Sequence, residues 1–595
     1  MNRLIHDIKR SHRCGSLREA DIGIEVVLMG WVHNRRDHGG CVFVDLRDRE
    51  GVTQVVFDPE VDKEAHALSG DLRAEWVIGV VGKVRSRGGN VNPKIKTGAI
   101  EVAAVRLEVL AKAKPPPFPI EEEIDTSEET RLKYRFLDLR RPGLQRNLIL
   151  RHQFNQVVRR TLDAEGFLEL ETPFLIKSTP EGARDYVVPS RVHGGKFFAL
   201  PQSPQLFKQL FMVSGFDRYF QIARCFRDED LRAERQPEFT QVDMEMSFIS
   251  PADIQAVVEK ILVEAWRALL GVELPTPFQR LSYDEAMARF GVDAPDLRFG
   301  LELNDLSDTV RAVGFKVFAD TVAAGGVVKA LNLHGTGDWS RKDLEELEEF
   351  VKPYGAKGLA WIKVKEDGSW QGPVAKFFKP EEQAAVAAKL SLAVGDTAVF
   401  VADRAKVAHA ALGNLRKHVA KKRNLIPKGT FRFCWVTEFP LFEYDDETQR
   451  YFAAHHPFTA PQPEHVEAMV KDPGRVKAQA YDIVLNGIEI GGGSIRIHDS
   501  VLQQRMFEAL GIGEAEAKAK FGFLLEALQF GAPPHGGLAL GVDRIMMLIC
   551  GTDSIRDVIA FPKTQKQTDL MLDAPARLDP AQLAELSIRV AGDKG

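Results

Sequence analysis

A multidomain α+β protein, with a small β-barrel or sandwich ahead of a larger mixed body, is the architecture this sequence predicts. Three observations carry it. At 595 residues the chain exceeds what one hydrophobic core supports, so three or four domains are expected. From about Ile24 to Leu110, apolar and polar residues alternate in short runs. A proline-rich stretch, Ala111 to Pro119, then separates that region from one in which helical periodicity mixes with polar, glycine-rich strands.

In the first region, Cys41-Val-Phe-Val-Asp-Leu-Arg47 sets Val42, Val44 and Leu46 on one face and Cys41, Phe43, Asp45 and Arg47 on the other. The turn Asp48-Arg-Glu-Gly51 leads into a second strand, Val52 to Phe57, and several such strands suggest a barrel or sandwich. The prolines and the acidic run Glu121 to Glu123 read as a stiff, solvated linker. An amphipathic helix follows, with Leu150, Phe154, Val157, Val158 and Leu162 on one stripe and Gly166 as its stop. To about Leu281 the chain is a dense block of strands and loops rich in Arg, Gln and Glu. Between about Arg289 and Arg423 it turns to Ala-rich helical patterns and Gly-rich turns that look inserted. The polar, Gly-rich character returns from Gly429 to Pro562. The expected segments are 1–112, a linker 113–133, 134–288, an insertion 289–423, 424–562 and a tail 563–595.

Composition narrows the class. Hydrophobic content of 44% and charged content of 27% describe an ordinary globular protein. No apolar run is long enough to cross a bilayer, and the N-terminal MNRLIHDIKRSHRCG lacks the apolar centre of a secretory signal. The five cysteines, Cys14, Cys41, Cys225, Cys434 and Cys550, form no C-x-x-C pair, which suits reduced thiols in a cytoplasmic protein. A net charge of −5 argues against coating nucleic acid by charge alone, while local patches for a structured RNA remain open. No G-x-x-x-x-G-K-[ST] occurs, which excludes a P-loop enzyme.

Three segments carry chemistry. Gly166-Phe-Leu-Glu-Leu-Glu-Thr-Pro-Phe-Leu175 reads as a helix end and then a strand containing Pro173, which suits a sheet edge or a subunit interface. From Phe226 to Met246, two alternating strands flank a charged loop holding Arg227, Glu229, Arg232 and Arg235, with Phe239 close by. Guanidinium groups match phosphate oxygens, and an aromatic ring can stack on a purine. Gly536-Gly-Leu-Ala-Leu-Gly-Val-Asp-Arg-Ile-Met-Met-Leu548 places Arg544 near a helix start, where backbone N–H groups also attract anions. Taken singly, an edge strand, a solvated hairpin tip and a buried helix would account for them.

In this order the three segments resemble motifs 1, 2 and 3 of the class II aminoacyl-tRNA synthetases. Further segments sharpen the likeness to the bacterial aspartate-specific group: Thr179-Pro-Glu-Gly-Ala-Arg-Asp185, Pro201-Gln-Ser-Pro-Gln-Leu-Phe-Lys208, His455-His-Pro-Phe458 and Gly487-Ile-Glu-Ile-Gly-Gly-Gly-Ser-Ile-Arg496. The likeness runs to Phe561, and Glu234, where that group's loop has Asp, is a local departure. It implies an N-terminal OB-type barrel that binds an anticodon and a six-stranded antiparallel catalytic sheet flanked by helices. It also implies an inserted α+β domain of the Gly-Ala-Asp type, which Phe315-Lys-Val-Phe318 and Gly325-Gly-Val-Val-Lys-Ala-Leu331 resemble. The implied protein is a cytoplasmic homodimer that uses ATP and Mg²⁺ to attach L-aspartate to tRNA.

The resemblance also assigns residues. Arg227 and Arg544 are the catalytic pair, and Glu181, Ser203, Gln205, Lys208, Arg227, His455 and Arg496 bind aspartate, Lys208 and Arg496 clamping its side-chain carboxylate. ATP falls to Arg227, Asp228, Glu229, Gln236, Phe239, Glu489, Gly541, Val542, Asp543 and Arg544, with Phe239 beneath the adenine and Arg544 above it. Asp482 and Glu489 hold the metal. On the barrel, Arg36, Phe43, Gln54 and Glu101 read anticodon bases. His38 and Gly89 resemble the relaxed kind that charges both tRNA(Asp) and tRNA(Asn). A strictly tRNA(Asp)-specific enzyme and a non-catalytic RNA-binding paralogue are the alternatives.

Overall fold

The computed structural model describes residues 9–179, 183–230 and 234–591, so Glu181 and Arg232 lie outside the described residues. The chain divides into two compact units. The first runs to Ile149 and includes Ala560–Thr564 and Thr568–Ala576; the second holds the rest.

In the first unit, strands Glu25–His38, Cys41–Asp48, Gly51–Phe57, Ile100–Ala111 and Val77–Ser86 close, in that order, into a barrel. The alternation read from the sequence fills it, since Val42, Val44 and Leu46 are all buried among Val32, Val55, Phe57 and Val80. Arg47 departs from its expected outward face. It is buried and donates through Nη2 to both oxygens of Glu75, at 2.7 and 2.8 Å. Arg140 donates to the same carboxylate at 2.7 Å. A paired, doubly hydrogen-bonded guanidinium tolerates burial where a lone one would not. The linker is also less solvated than its prolines suggest, because Phe118 and Ile120 are buried.

The second unit is built on an eight-stranded sheet. Its six central strands are antiparallel, in the order Phe433–Thr437, Ala480–Leu485, Ile488–Ile495, His535–Gly541, Glu238–Ser247 and Arg218–Phe226. Two short parallel strands extend the expected six, Gln279–Ser282 at one edge and Leu168–Glu169 at the other. The latter stops before Pro173, so the proline follows the strand instead of lying in it; proline has no N–H to give a ladder. Beyond it Phe174 and Leu175 are exposed. Helix Pro142–Ala164 lays Phe154, Val157, Val158 and Leu162 on one face of the sheet, and Gly166 past its end takes φ +78°, a conformation that favours glycine.

The 289–423 segment contains its own five-stranded sheet, in the order Asn304–Asp305, Val327–Leu333, Thr397–Asp403, Ala360–Val364 and Trp370–Gln371. Helix Ala405–Lys422 packs on it and carries the fully buried Arg416, whose guanidinium lies between Phe290 and Phe299. Arg416 donates to the carbonyls of Asp296, Phe299 and Leu301, tying this helix to the segment that enters the inserted sheet. No helix among the described residues is long and apolar enough to cross a membrane.

Candidate active site

Period-two alternation builds the floor. In strand Glu238–Ser247 the even positions Val242, Met244 and Met246 enter the apolar core, so Phe239, Gln241, Asp243 and Glu245 turn to the opposite face. There Phe239, Gln241 and Asp243 line a cavity of about 580 Å³ with residues from the neighbouring strands, Glu245 lying behind the wall against Lys208 and Arg496. A cavity of that size is in the range of small-molecule and cofactor sites. The sheet is glycine-rich here because the acids need the room. A Cβ at Gly537 would lie 2.0 Å from Glu245 Oε2, and one at Gly492 would lie 2.5 Å from Asp482 Oδ1.

One end of the cavity is a closed charge network. Helix Gln205–Val213 places Gln205 and Lys208 three residues apart, on one face. Lys208 Nζ donates to Asp243 Oδ1 at 2.7 Å and lies 3.3 Å from Glu245 Oε2. Arg496 donates to both oxygens of Glu245, to Ser494 Oγ at 2.6 Å and to His456 Nε2 at 2.9 Å. The expected cationic clamp is therefore not a bare pair of cations, since two buried carboxylates already accompany Lys208 and Arg496.

Burial alone would raise Glu245, but Arg496 and Lys208 outweigh it and hold the carboxyl below its ordinary value. For Asp243 burial wins and the carboxyl is raised, Lys208 offsetting only part. Burial and the Arg496 charge hold His456 well below its ordinary value and bring His455 down to about 4, so both rings are neutral at physiological pH.

Asp243 and Glu245 were not singled out from the sequence as ligand-binding residues. The signal was present in Val-Asp-Met-Glu-Met, where two acids alternate with core residues on a strand.

Orphaned polar atoms mark where a ligand's groups would sit. Buried and without a hydrogen-bond partner are Gln205 Nε2, Asp243 Oδ2, His455 Nε2 and Arg227 Nε, and all four residues line this one cavity. Leaving such atoms unsatisfied costs about 1–3 kcal/mol each. Their convergence describes a ligand with an acceptor for Gln205 and Arg227 and a cationic donor for Asp243.

At the other end, the Arg227 guanidinium lies over the Phe239 ring, 5.1 Å from its centroid. Arg544, the third residue of helix Val542–Cys550, donates to the Glu489 carbonyl at 2.9 Å and lies 3.7 Å from its carboxylate. The cation over Phe239 is thus Arg227, and Arg544 stands beside the acidic pair. Asp482 and Glu489 come from adjacent strands, brought together by a register shift between Ile483 and Val484. Burial, then repulsion from Glu489 and Asp293, pushes Asp482 well above the ordinary carboxylate range, Arg544 offsetting only part. Two hard carboxylates suit a divalent cation shared with phosphate oxygens.

Of the other expected residues, Ser203, Glu229, Gln236 and Gly541 line the cavity, with Glu229 paired to Arg235 at 2.9 Å. Val542 has its side chain in the apolar core, leaving only its backbone for a ligand. Asp543 also lines the cavity, its oxygens accepting from Arg151 at 2.5 Å and from the Thr240 N–H at 2.8 Å. Asp228 stands outside the lining, its N–H donating to the Arg184 carbonyl.

On the barrel, the expected residues form one hydrogen-bonded row. Arg36 pairs in register with Phe43 and donates to Asp45 Oδ1 at 3.0 Å and Gln54 Oε1 at 3.3 Å. Gln54 in turn donates to Glu101 Oε2 at 2.8 Å, and Arg85 holds the other Glu101 oxygen at 2.8 Å. Phe43 is partly exposed beside the row; His38, ending its strand, and Gly89, in the turn after Ser86, are exposed.

A family model described as tRNA synthetases class II (D, K and N) matches residues 127–565, and one described as an OB-fold nucleic acid binding domain matches residues 26–110. A Desulfatibacillum aliphaticivorans protein named aspartate–tRNA(Asp/Asn) ligase is 57% identical over 591 residues, covering 99% of each chain. Proteins of the same name from Syntrophotalea carbinolica and Caldanaerobacter subterraneus subsp. tengcongensis are 57% and 54% identical over 99% of this chain, and 99% and 100% of their own lengths are covered. Among solved structures, asparaginyl-tRNA synthetase from Pyrococcus horikoshii complexed with asparaginyl-adenylate aligns with a TM-score of 0.58. It is 20% identical and covers 96% of this chain and 100% of its own, a likeness of fold.

Proposed function

The chain belongs to the class II tRNA synthetases of the D, K and N group, and from that premise we propose that it activates L-aspartate with ATP and loads it onto tRNA(Asp) and tRNA(Asn). The single observation that carries the amino-acid assignment is the Lys208–Asp243–Glu245–Arg496 network, two buried cations and two buried carboxylates at one end of the cavity. Its cations suit a substrate side-chain carboxylate, and the free Asp243 Oδ2 suits an α-ammonium. Asparagine's neutral amide matches this network less well, because it brings no charge to the cations. Relatives more than half identical over nearly their whole length carry the name aspartate–tRNA(Asp/Asn) ligase, which favours the two-tRNA reading.

In the first step the substrate α-carboxylate attacks the α-phosphorus of ATP, and pyrophosphate leaves. In the second a ribose hydroxyl of the tRNA's terminal adenosine takes the acyl group, and AMP leaves. Neither step needs a covalent protein intermediate; positioning and charge stabilisation suffice. Arg227 bridges the attacking carboxylate and the α-phosphate, Arg544 holds the outer phosphate, and Phe239 stacks on adenine while Glu229 and Gln236 read its edge. Ser203, Gln205 and His455 complete the aspartate pocket, with Glu181 assigned to the ammonium by resemblance. Asp482 and Glu489 would hold Mg²⁺, which when bound neutralises phosphate charge.

The proposed division of labour follows the expected segments: anticodon binding in 1–112, catalysis in 134–288 and 424–562, and an insertion at 289–423. Arg36, Phe43, Gln54 and Glu101 read anticodon bases, with His38 and Gly89 setting the relaxed choice of tRNA. We assign a homodimer that covers the exposed Phe174 and Leu175, and a cytoplasmic location. Aspartate-dependent ATP–pyrophosphate exchange tests the reading. Exchange with aspartate and not with asparagine or lysine is expected; equal exchange with asparagine would overturn the assignment.

A further inference from the structure

The tail after the last catalytic helix reaches back to the active-site wall through one side chain. Gln567 Nε2 donates to the main-chain carbonyl of Glu229 at 2.9 Å and lies 3.5 Å from Asp228 Oδ1, while Gln567 Oε1 accepts from Tyr186 Oη at 2.9 Å. Both ends of the amide are thus used, on two segments distant in sequence. Gln565–Gln567 fall in the same compact unit as the catalytic sheet. Gln567 also holds φ +59°, the left-handed region that a non-glycine residue occupies at a cost of about 1 kcal/mol. A strained backbone with a fully satisfied side chain is the signature of a residue held in place by its contacts.

What those contacts fix is the entry to the loop that carries Arg227 and Glu229. Asp228 N donates to the Arg184 carbonyl at 3.1 Å, so the Arg184–Tyr186 segment and the Arg227–Glu229 segment run side by side. Gln202, on the cavity wall, pins the same segment by donating to Ala183 O at 2.8 Å and to Asp185 Oδ1. Gln567 closes this frame from outside the cavity, touching Glu229 on its main chain and leaving its carboxylate to Arg235. Burial, with the nearby Asp228 charge, raises the Tyr186 phenol above its ordinary value, so it remains a donor to Gln567.

We propose that Gln567 is a positioning residue for the nucleotide: its carboxamide joins Tyr186 to the Glu229 backbone and so aims Glu229 into the ATP end of the cavity. The inference rests on the ATP-dependent reading above. Loss of one such bond corresponds to about a 3- to 10-fold effect, and it falls on ATP because neither Asp228 nor Glu229 reaches the Lys208–Arg496 end.

Steady-state ATP–pyrophosphate exchange on full-length Gln567→Ala, Gln567→Glu and Tyr186→Phe enzymes tests it. Gln567→Ala is expected to raise KM for ATP about 3- to 10-fold, with kcat and KM for aspartate within twofold of wild type. Gln567→Glu is expected to do no better, since a carboxylate cannot donate to the Glu229 carbonyl and faces Asp228. Tyr186→Phe should give a smaller rise. Unchanged KM for ATP in Gln567→Ala, with or without a lower melting temperature, would overturn the proposal by leaving only a structural role. Absence of exchange in the wild-type enzyme would instead overturn the ATP-dependent reading, so the two failures are distinguishable.

Discussion

Glu245 takes both arms of the Arg496 guanidinium, Nε at 2.9 Å and Nη2 at 3.1 Å, and neither side chain reaches solvent. Glu245 also lies 3.3 Å from Lys208, so Glu245→Gln leaves two buried cations sharing the Asp243 carboxylate alone. Removing one partner of a buried pair costs about 3–5 kcal/mol. Glu245→Gln is expected to lower the unfolding midpoint by several degrees and to cut aspartate-dependent exchange at least 10-fold, by the same arithmetic. A midpoint and rate equal to wild type would mean that the pair does not organise the pocket.

The acidic pair behaves oppositely. Burial and the neighbouring Glu489 charge raise Asp482, so its ionised form is unfavourable in the fold. Asp482→Asn removes that repulsion and should leave the melting temperature equal or higher, while exchange falls at least 100-fold, on the scale of losing one preorganised charge contact. Calorimetry and exchange assays on one preparation check both; a destabilised but active variant contradicts the assignment.

Burial depresses His455, His456 and His535 below their ordinary value of 6.5, His455 to about 4. A depressed histidine favours the neutral fold. Its contribution to stability is complete above 6.5 and is lost as pH falls through 6.5 toward the folded value, because the unfolded chain takes up protons that the fold refuses. Melting temperature should therefore fall from pH 7 to pH 5, and the slope should flatten in His456→Gln. An unaltered slope in that variant would remove His456 from the effect.

On the barrel, the roles proposed for Arg36 and Phe43 do not involve the adenylation chemistry. Phe43→Ala and Arg36→Ala are expected to raise KM for tRNA about 10-fold each, on the scale of one stacked base or one charged contact. Neither should change aspartate-dependent pyrophosphate exchange. A fall in exchange would show that these residues act on the fold instead.

Much of this site was legible because short-range rules determine it. Period-two alternation placed Val42, Val44 and Leu46 inside the barrel, whereas the need for glycine at Gly492 and Gly537 shows only once Asp482 and Glu245 lie against them. Residues whose environment depends on distant chain were not legible. Arg47 reads as an outward strand residue until Glu75 arrives to pair it, and nothing near Asp543 in the sequence announces its bonds to Arg151 and Thr240. Gln567 carries no local signal at all, since its partners Tyr186 and Glu229 lie more than 300 residues away.

The most direct test of the account is side-by-side charging of purified tRNA(Asp) and tRNA(Asn) with labelled aspartate, ATP and Mg²⁺. The account predicts aspartylation of both. Charging of tRNA(Asp) alone would keep the synthetase and remove the relaxed reading given to His38 and Gly89, and charging of neither would contradict the central claim.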